Sequence, residues 1–346
     1  MNKRMSMLLS LLLIMVLVFT ACAGAQEPAQ ETETEVEDQQ EEAPQEEAGY
    51  NKDDYFLTVA TGATSGLYYP IGGAFSNVFQ NKLGFKSSAQ STGASAENIN
   101  LILTGDAEMA IAMSDAVAQA YQGFGAFEGK EPAENLRALT GLYPNFVQLV
   151  TTKSSGIESF EDLKGKKVGI GAPNSGVELN ARLMYEAHGM TYEDSSVDYL
   201  NYGEAIDQMK NGLVDAVFVT SGIPNATVME LGVTDEIVLV PIEGEGLEKL
   251  TEKYPFFVPE VIPADIYDTE GDVNTVTVRN IMLVREDLPD ELVYDLAKGV
   301  FENISDIQAS HATAEKNITL ENAQIGVDIP FHDGAVKYYQ EQGLMD

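Results

Sequence analysis

The sequence predicts an α/β protein whose folded part consists of two similar lobes. Short runs of β-type residues alternate with helical patterns of about 10 to 15 residues, which favours parallel sheets covered by helices. The chain beyond residue 52 is longer than one hydrophobic core usually serves and is near the size of two lobes. One order of elements also occurs twice. We therefore expect two α/β lobes with a cleft between them.

The elements follow from the local patterns. The clearest strands are residues 56–60, 85–90, 109–113, 168–170 and 216–220, and the clearest helices are residues 67–83, 96–104, 177–187 and 205–211. Gly84, Gly189 and Gly212 follow helical patterns and suit a left-handed cap, which a residue without a β-carbon adopts most easily.

The repeated order is a weak internal echo. In each half a strand leads into a Ser-Gly loop and then a helix; we call residues 62–66 the first loop and residues 171–176 the second loop. At a similar distance further on, Gly105 and Gly212 lead into strands that end at Ser114 and Ser221. The echo predicts that both loops lie at corresponding places and face one cleft.

Both loops are suited to an anionic group such as a carboxylate. Ligands of open α/β sheets settle beyond the carboxyl ends of the strands, where both loops should lie. Glycine lets the main chain approach a ligand, hydroxyl groups add donors, and the following helix offers free N–H groups with a partial positive charge. The alternative is that Ser65 and Ser175 are only helix N-caps, each worth about 1 kcal/mol.

A nucleotide is excluded as the ligand of the second loop. Its glycines have the spacing of a phosphate loop, but Val177 and Glu178 stand where Lys and Ser or Thr would hold phosphate and magnesium. The third glycine of a dinucleotide fingerprint is also missing.

Further polar stretches should complete the cleft. Residues 90–98 end a strand and open a helix, with Ser95 and Asn98 in a spacing like that of a capping box. Tyr68 and Tyr69 offer flat apolar faces and hydroxyl groups that could wall a small ligand. Met113, before Ser114, should make that wall more apolar.

No catalytic centre is visible, so we expect neither enzyme activity nor a metal or other cofactor. His188, His311 and His332 lack zinc-like spacing, and the first loop misses the Gly-x-Ser-x-Gly elbow by one position. A secreted hydrolase that uses Ser65 or Ser175 is a competing hypothesis.

Charge and cysteine content exclude other classes. The formal net charge is −35, which excludes nucleic acid as a partner. Cys22 is the only cysteine, so no intramolecular disulfide can form.

The N-terminal segment predicts a lipoprotein. Lys3 and Arg4 precede an apolar run that ends at Ala21 and Cys22 and is shorter than the roughly 20 residues that span a bilayer. We expect residues 1–21 to be a signal peptide and Cys22 to carry lipid; the alternative is simple cleavage with a free thiol. Residues 22–52 should be the anchor and a disordered acidic linker, since residues 26–49 contain many acids and no Lys or Arg. A solvated acidic helix is the alternative for the linker.

Four blocks carry a resemblance to a known family. The chain resembles the TAXI family of extracytoplasmic solute-binding proteins of TRAP transporters over about residues 55–343. The blocks are Thr61-Gly-Ala-Thr-Ser-Gly-Leu-Tyr-Tyr-Pro-Ile-Gly-Gly73, Ser91-Thr-Gly-Ala-Ser-Ala-Glu-Asn98, Gly171-Ala-Pro-Asn-Ser-Gly-Val-Glu-Leu-Asn-Ala181 and His332-Asp-Gly-Ala-Val-Lys-Tyr-Tyr339.

The resemblance implies a periplasmic-binding-protein-like fold of type II, with two α/β lobes joined by hinge strands. Lobe 1 would comprise residues 53–148 and 284–346 and lobe 2 residues 149–283, with hinges at 146–152 and 276–284. The ligand-binding residues it implies are Gly62, Ala63, Thr64, Ser65, Gly66, Tyr68, Ser91, Thr92, Gly93, Ser95, Ser114, Ala172, Pro173, Asn174, Ser175, Gly176, Val177, Thr220, Pro224 and Asn225.

The implied function is capture of a small carboxylate, such as glutamate, glutamine or 2-oxoglutarate, for a sodium-coupled permease. The protein would be a monomer on the outer face of the cell membrane or in the periplasm. The family does not rely on an arginine clamp, and no arginine of this chain lies inside either loop. Met113 departs from the glutamine expected before Ser-Asp, which puts amino-acid specificity in doubt. A ligand-sensing lipoprotein that presents its closed form to a signalling partner is the alternative function.

Overall fold

The computed structural model describes residues 49–346, in which strands and helices alternate along the chain. The strands are β1 (Phe56–Ala60), β2 (Lys86–Gln90), β3 (Met109–Met113), β4 (Leu136–Thr152), β5 (Lys167–Gly169), β6 (Ser196–Asp198), β7 (Ala216–Ser221), β8 (Ile237–Val240), β9 (Val258–Ile262) and β10 (Val273–Arg285). The α-helices are α1 (Tyr68–Asn81), α2 (Ser95–Thr104), α3 (Ser114–Gln122), α4 (Gly176–Ala187), α5 (Tyr202–Lys210), α6 (Ala226–Leu231), α7 (Gly244–Lys253), α8 (Asp290–Glu302), α9 (Ile304–Gln308), α10 (Ala312–Asn317) and α11 (Asp333–Glu341). The signal, the lipidation of Cys22 and most of the linker lie outside the described residues.

The sheet consists of two parallel halves that repeat one plan. The strand order is β2-β1-β3-β10-β4-β7-β5-β6. β1 pairs parallel with β2 and β3, and β5 pairs parallel with β6 and β7. The first strand of each half is therefore its central strand, and the two halves repeat one order of elements, as the internal echo predicts.

The two longest strands join the halves. β4 and β10 pair antiparallel to each other, β10 also pairs with β3, and β4 also pairs with β7. The predicted hinge segments 146–152 and 276–284 are portions of these longer strands. The pairing is irregular between Arg279 and Ile281, opposite the stretch that contains Pro144. A proline and a local bulge interrupt the alternation of side chains, which explains why the early part of β4 was not predicted.

All four predicted helices differ from their observed bounds, and two of them differ by two or more residues at one end for identifiable reasons. The helix predicted over 67–83 ends at Asn81, because Leu83 N bonds Val78 O in a wider turn and Gly84 adopts a φ of 77°. The helix predicted over 205–211 begins at Tyr202, because Asn201 and Glu204 form a reciprocal capping box. Gly189 and Gly212 also have left-handed backbones after their helices, as predicted.

The core lies between the sheet and its helices. Ile71, Phe75, Val78 and Phe79 lie on one face of α1 at helical spacing, and all four are buried. Burial of each such side chain contributes about 1.5 to 3 kcal/mol. This packing fixes α1 against the sheet and so positions the first loop at its N-terminus.

Residues 49–346 belong to one compact unit. The lobe borders, 53–148 with 284–346 and 149–283, stay a prediction. No helix within the described part of the chain is both long and apolar enough to cross a bilayer.

Candidate functional site

A cavity of about 330 Å³ lies between the two loops, near the ends of the central strands. The first loop follows β1 and the second loop follows β5. Since carboxyl ends of parallel strands are the usual ligand sites of such sheets, this cavity is the candidate functional site. Its lining residues are Gly62, Ala63, Gly66, Leu67, Tyr68, Ser91, Thr92, Gly93, Ala94, Met113, Tyr143, Asn145, Ala172, Ser175, Val177, Leu200, Asn201, Tyr202, Thr220 and Ser221.

The residues predicted to bind a ligand divide into two groups by position. The ones that line the cavity are Gly62, Ala63, Gly66, Tyr68, Ser91, Thr92, Gly93, Ala172, Ser175, Val177 and Thr220. The ones that do not line it are Thr64, Ser65, Ser95, Ser114, Pro173, Asn174, Gly176, Pro224 and Asn225. Ligand contact by either group stays a prediction.

Several residues outside the lining hold the two halves together. Ala96 N–H donates to Asn174 O across the gap at 3.2 Å. A β-carbon placed on Gly176 would lie only 2.7 Å from Ser95 Oγ and 3.0 Å from Met113 Cε. The absence of a side chain at Gly176 therefore lets the start of α4 approach β3 and α2 closely.

The two loop serines differ. Ser175 is the N-cap of α4 and its Oγ accepts a 3.1 Å bond from Glu178 N, so it both caps the helix and lines the cavity. Ser65 is not the N-cap of α1, which is Leu67, so the simple capping interpretation is wrong for Ser65. Its buried Oγ has no partner among the described residues.

The capping box predicted for Ser95 and Asn98 is also wrong. The N-cap of α2 is Ala94, with a φ of 74°, and Ser95 Oγ instead accepts from Met113 N at 3.1 Å. Asn98 Nδ2 donates to Thr61 O at 2.6 Å and to Ile111 O at 2.7 Å. Buried backbone groups of neighbouring strands compete for these side chains, and both are fully buried.

Asn225 has a structural role. Its Oδ1 accepts from Thr227 N at 3.0 Å at the start of α6, and its own N–H donates to Tyr267 Oη at 2.7 Å. Its side chain therefore fixes the turn that follows Ser221.

One part of the cavity lining was not predicted from the sequence. Leu200, Asn201 and Tyr202 follow β6, just as the lining residues Ser91 to Ala94 follow β2. The echo could have identified this stretch by correspondence. Tyr143 and Asn145, from the middle of β4, carry no such local signal.

The lining contains no charged side chain and no histidine. Donors and acceptors are hydroxyl, amide and backbone groups, interspersed with Leu67, Met113, Val177 and Leu200. The four arginines of the described chain, Arg137, Arg182, Arg279 and Arg285, all lie outside the lining. A carboxylate here would be bound by neutral donors, and a serine nucleophile would have no base beside it.

Two acids near the loops also lie outside the lining. Glu178 pairs with Arg182 one helical turn further along α4. Asp115 Oδ2 accepts a 2.8 Å bond from Asn180 Nδ2. Burial raises the pKa of Asp115 to about 7.

Three tyrosines line the cavity. Tyr68 donates to Asn280 Oδ1 at 2.5 Å and Tyr202 donates to Thr220 O at 2.6 Å. The buried hydroxyl of Tyr143 has no partner among the described residues. Burial raises the pKa of all three above the ordinary tyrosine value, so each stays protonated.

Residues 49–346 contain no cluster of metal-ligating side chains. No group of three or more His, Cys, Asp or Glu side chains in this range could hold an ion.

Comparison with known proteins gives a family and a fold. The model of the NMT1-like family matches residues 59–343. A solved structure from Bordetella bronchiseptica RB50 matches with a TM-score of 0.51 at 16% identity, covering 84% of this chain and 89% of that one. This likeness confirms the predicted α/β fold class, with a central sheet covered by helices.

Two further solved structures are more distant. PhnD1 of Prochlorococcus marinus, in complex with methylphosphonate, matches with a TM-score of 0.49 at 11% identity, covering 85% of this chain and 100% of that one. A binding protein component of an ABC phosphonate transporter from Pseudomonas aeruginosa matches with a TM-score of 0.47 at 13% identity, covering 75% of this chain and 78% of that one.

Proposed function

The chain belongs to the NMT1-like family. We propose that it is a non-enzymatic solute-binding protein of a membrane transporter. Its ligand is a small carboxylate, captured outside the cytoplasm. The observation that carries the proposal is the cavity between two glycine loops, lined by hydroxyl, amide and backbone groups. Such a lining can hold and release a solute, and it contains no acid, base or nucleophile pair for turnover.

The carboxylate would be bound at the start of α4. Ser175 uses its Oγ to accept from Glu178 N, which leaves its own proton free to donate. The N-terminus of the 12-residue helix adds a partial positive charge. Because no Lys or Arg lines the cavity, these neutral groups have to supply the donors.

Lobe closure is the proposed mode of capture. Lobe 1 is residues 53–148 with 284–346, lobe 2 is residues 149–283, and β4 and β10 act as hinges between them. The close approach of Gly176 to Ser95 supports a closed state as the one that encloses the ligand. Closure excludes water and so strengthens hydrogen bonds to a charged ligand.

The partner we propose is a TRAP-type sodium-coupled permease, with the protein tethered to the membrane by lipid on Cys22. Support comes from the four sequence blocks of the TAXI pattern and from the signal-like segment that ends at Cys22. An acidic linker would let the binding unit reach the permease.

Thermal unfolding of the full chain in mild detergent tests the ligand class. The panel should contain glutamate, glutamine, 2-oxoglutarate and succinate, with alkylsulfonates, alkylphosphonates and neutral sugars as other classes. A ligand at about 100 times its dissociation constant adds about 2.7 kcal/mol, which moves the midpoint by several degrees. Shifts confined to carboxylates support the proposal. A shift with sulfonates, phosphonates or sugars alone contradicts it.

Transport in vesicles tests the partner. Uptake of the shifted ligand should require the protein and a sodium gradient but no ATP. A requirement for ATP would assign an ABC-type permease instead.

A further inference from the structure

The orientation of one buried amide is fixed by the backbone. Asn280 is fully buried at the irregularity between β4 and β10, and its Nδ2 donates to Tyr143 O at 2.8 Å. A carbonyl oxygen can only accept, so the nitrogen of Asn280 has to face it. The Oδ1 of Asn280 therefore points to its other neighbours.

That oxygen fixes two cavity residues in turn. Asn280 Oδ1 accepts from Tyr68 Oη at 2.5 Å and from Asn145 Nδ2 at 3.0 Å. Since Asn280 Oδ1 cannot donate, Tyr68 has used its single proton and Asn145 has turned its nitrogen towards Asn280. The acceptors left over are Tyr68 Oη and Asn145 Oδ1, and Asn145 Nδ2 also keeps its second N–H.

The remaining oxygen of Asn145 lacks a donor. Asn145 lines the cavity, is 1% exposed, and its Oδ1 has no hydrogen-bond partner among the described residues. A buried acceptor without a partner is costly, and such groups in native proteins usually find one. The cavity is the side from which a donor can come.

Other polar atoms of the lining have protons to give. Thr220 Oγ1 and the hydroxyl of Tyr143 are both buried and without partners among residues 49–346, and Ser175 has a free proton. Hydroxyl groups such as these suit a carboxylate. The cavity thus combines donors for an anion with an acceptor pair, Asn145 and Tyr68, that an anion cannot satisfy.

We propose that the ligand is a carboxylate that also carries a hydrogen-bond donor, an amino or a hydroxy acid, and that Asn145 is the specificity-determining residue that reads this donor. This inference rests on the proposed function, because it presupposes a carboxylate ligand. Asn280 is the positioning residue, since it holds the Asn145 amide in the one orientation that presents an acceptor. Keto acids and unsubstituted acids of the same length leave that acceptor without a partner.

Calorimetric titration of the full chain in mild detergent with two matched series tests the inference. One series is glutamate, 2-hydroxyglutarate, 2-oxoglutarate and glutarate; the other is norvaline, 2-hydroxypentanoate, 2-oxopentanoate and pentanoate. In the series that binds, the members with a donor should bind about tenfold more tightly than the keto and unsubstituted members. The amino and hydroxy members then distinguish an ammonium from a hydroxyl as the donor.

Variants assign the preference to its residue. Asn145→Leu should reduce the ratio between donor-bearing and donor-free ligands to near one, and Tyr68→Phe should reduce it in part. Thr140→Val is the matched control, because Thr140 is a buried polar residue of the same strand, lies outside the lining and donates to Gly141 O, so the ratio should not change. If Asn145→Leu does not fold, the ratio in Tyr68→Phe decides.

Each contrary result has its own meaning. Equal affinity for all members of a series in the wild type overturns the inference and leaves the carboxylate function standing. A preference that survives both variants overturns the role of Asn145. Failure of every carboxylate to bind, with another solute class bound, overturns the proposed function and the inference together.

Discussion

Asn180 Nδ2 donates a 2.8 Å hydrogen bond to Asp115 Oδ2 and so joins α4 to α3. Both residues are fully buried, and neither the second carboxylate oxygen of Asp115, Oδ1, nor the amide oxygen of Asn180, Oδ1, has a partner among the described residues. A buried acceptor without a partner is costly, so this pair favours an added donor. A proton on Asp115 would turn one of these oxygens into a donor.

This pair predicts a pH-dependent stability. Burial raises the pKa of Asp115 to about 7, above the value of an unfolded aspartate, so the native state binds a proton that the unfolded chain releases. The contribution is present below about pH 4 and is lost as the pH rises towards 7. Between pH 5 and pH 8 the free energy of unfolding should fall by about 2 kcal/mol relative to Asp115→Asn. Urea unfolding of both proteins at the two pH values measures this difference, and parallel curves would contradict it.

Ser175→Ala should weaken ligand binding by about tenfold or more, because the free hydroxyl proton of Ser175 would face the carboxylate. It should also lower the free energy of unfolding by about 1 kcal/mol through loss of the α4 cap. Calorimetry with the ligand found in the thermal panel checks the affinity. Thr191→Ala is the control, since Thr191 caps a short turn outside the cavity. An unchanged affinity in Ser175→Ala would assign Ser175 to capping alone.

Local chemistry explains how much of the site could be predicted. The two glycine loops can be identified from residues that are close together in the sequence. Gly62 and Ser175, one from each loop, line the cavity. Asn145 and Asn280 are 135 residues apart and meet only because β4 pairs with β10. A single sequence carries no signal for the register between these two strands, so the contact of Asn145 with Asn280 could not be predicted.

The predicted caps failed for a related reason. Ser95 and Asn98 have the right types and spacing for a helix start, yet buried carbonyl and amide groups just after β1 and within β3 bind them instead. Local preference is worth about 1 kcal/mol, and leaving a buried backbone group without a partner costs about as much or more. The fold elements were predicted better because alternation and helical spacing are themselves local.

Adjacent glycines in α1 predict opposite effects on stability. A β-carbon on Gly72 would lie 2.4 Å from Thr61 Cγ2, whereas one on Gly73 would meet nothing within 4 Å. Gly73→Ala should therefore raise the free energy of unfolding by about 0.5 to 1 kcal/mol, the helix preference of alanine over glycine. Gly72→Ala should lower it by about 1 to 3 kcal/mol, because the helix has to move away from β1. Urea unfolding of the two variants measures whether each free energy of unfolding rises or falls. A rise in both variants would mean that the Thr61 side chain moves aside without strain.

Gly176 offers a test of closure. An alanine β-carbon at this position would come within 2.7 Å of Ser95 Oγ and 3.0 Å of Met113 Cε, so Gly176→Ala should hold the halves apart. Each half keeps its own packing, so the midpoint of thermal unfolding without ligand should change little. Ligand affinity should fall about tenfold. Small-angle scattering should show a smaller ligand-induced decrease in radius of gyration for the variant than for the wild type.

Gly203→Ala is the matched control, since Gly203 also lies in a first helical turn and its nearest contact would be an ordinary 3.5 Å to Asn201 Oδ1. Because α4 carries both Gly176 and Ser175, a loss of affinity with unchanged compaction would mean that the variant displaces the Ser175 hydroxyl rather than blocking closure. A loss of both would tie affinity to the approach of the two halves.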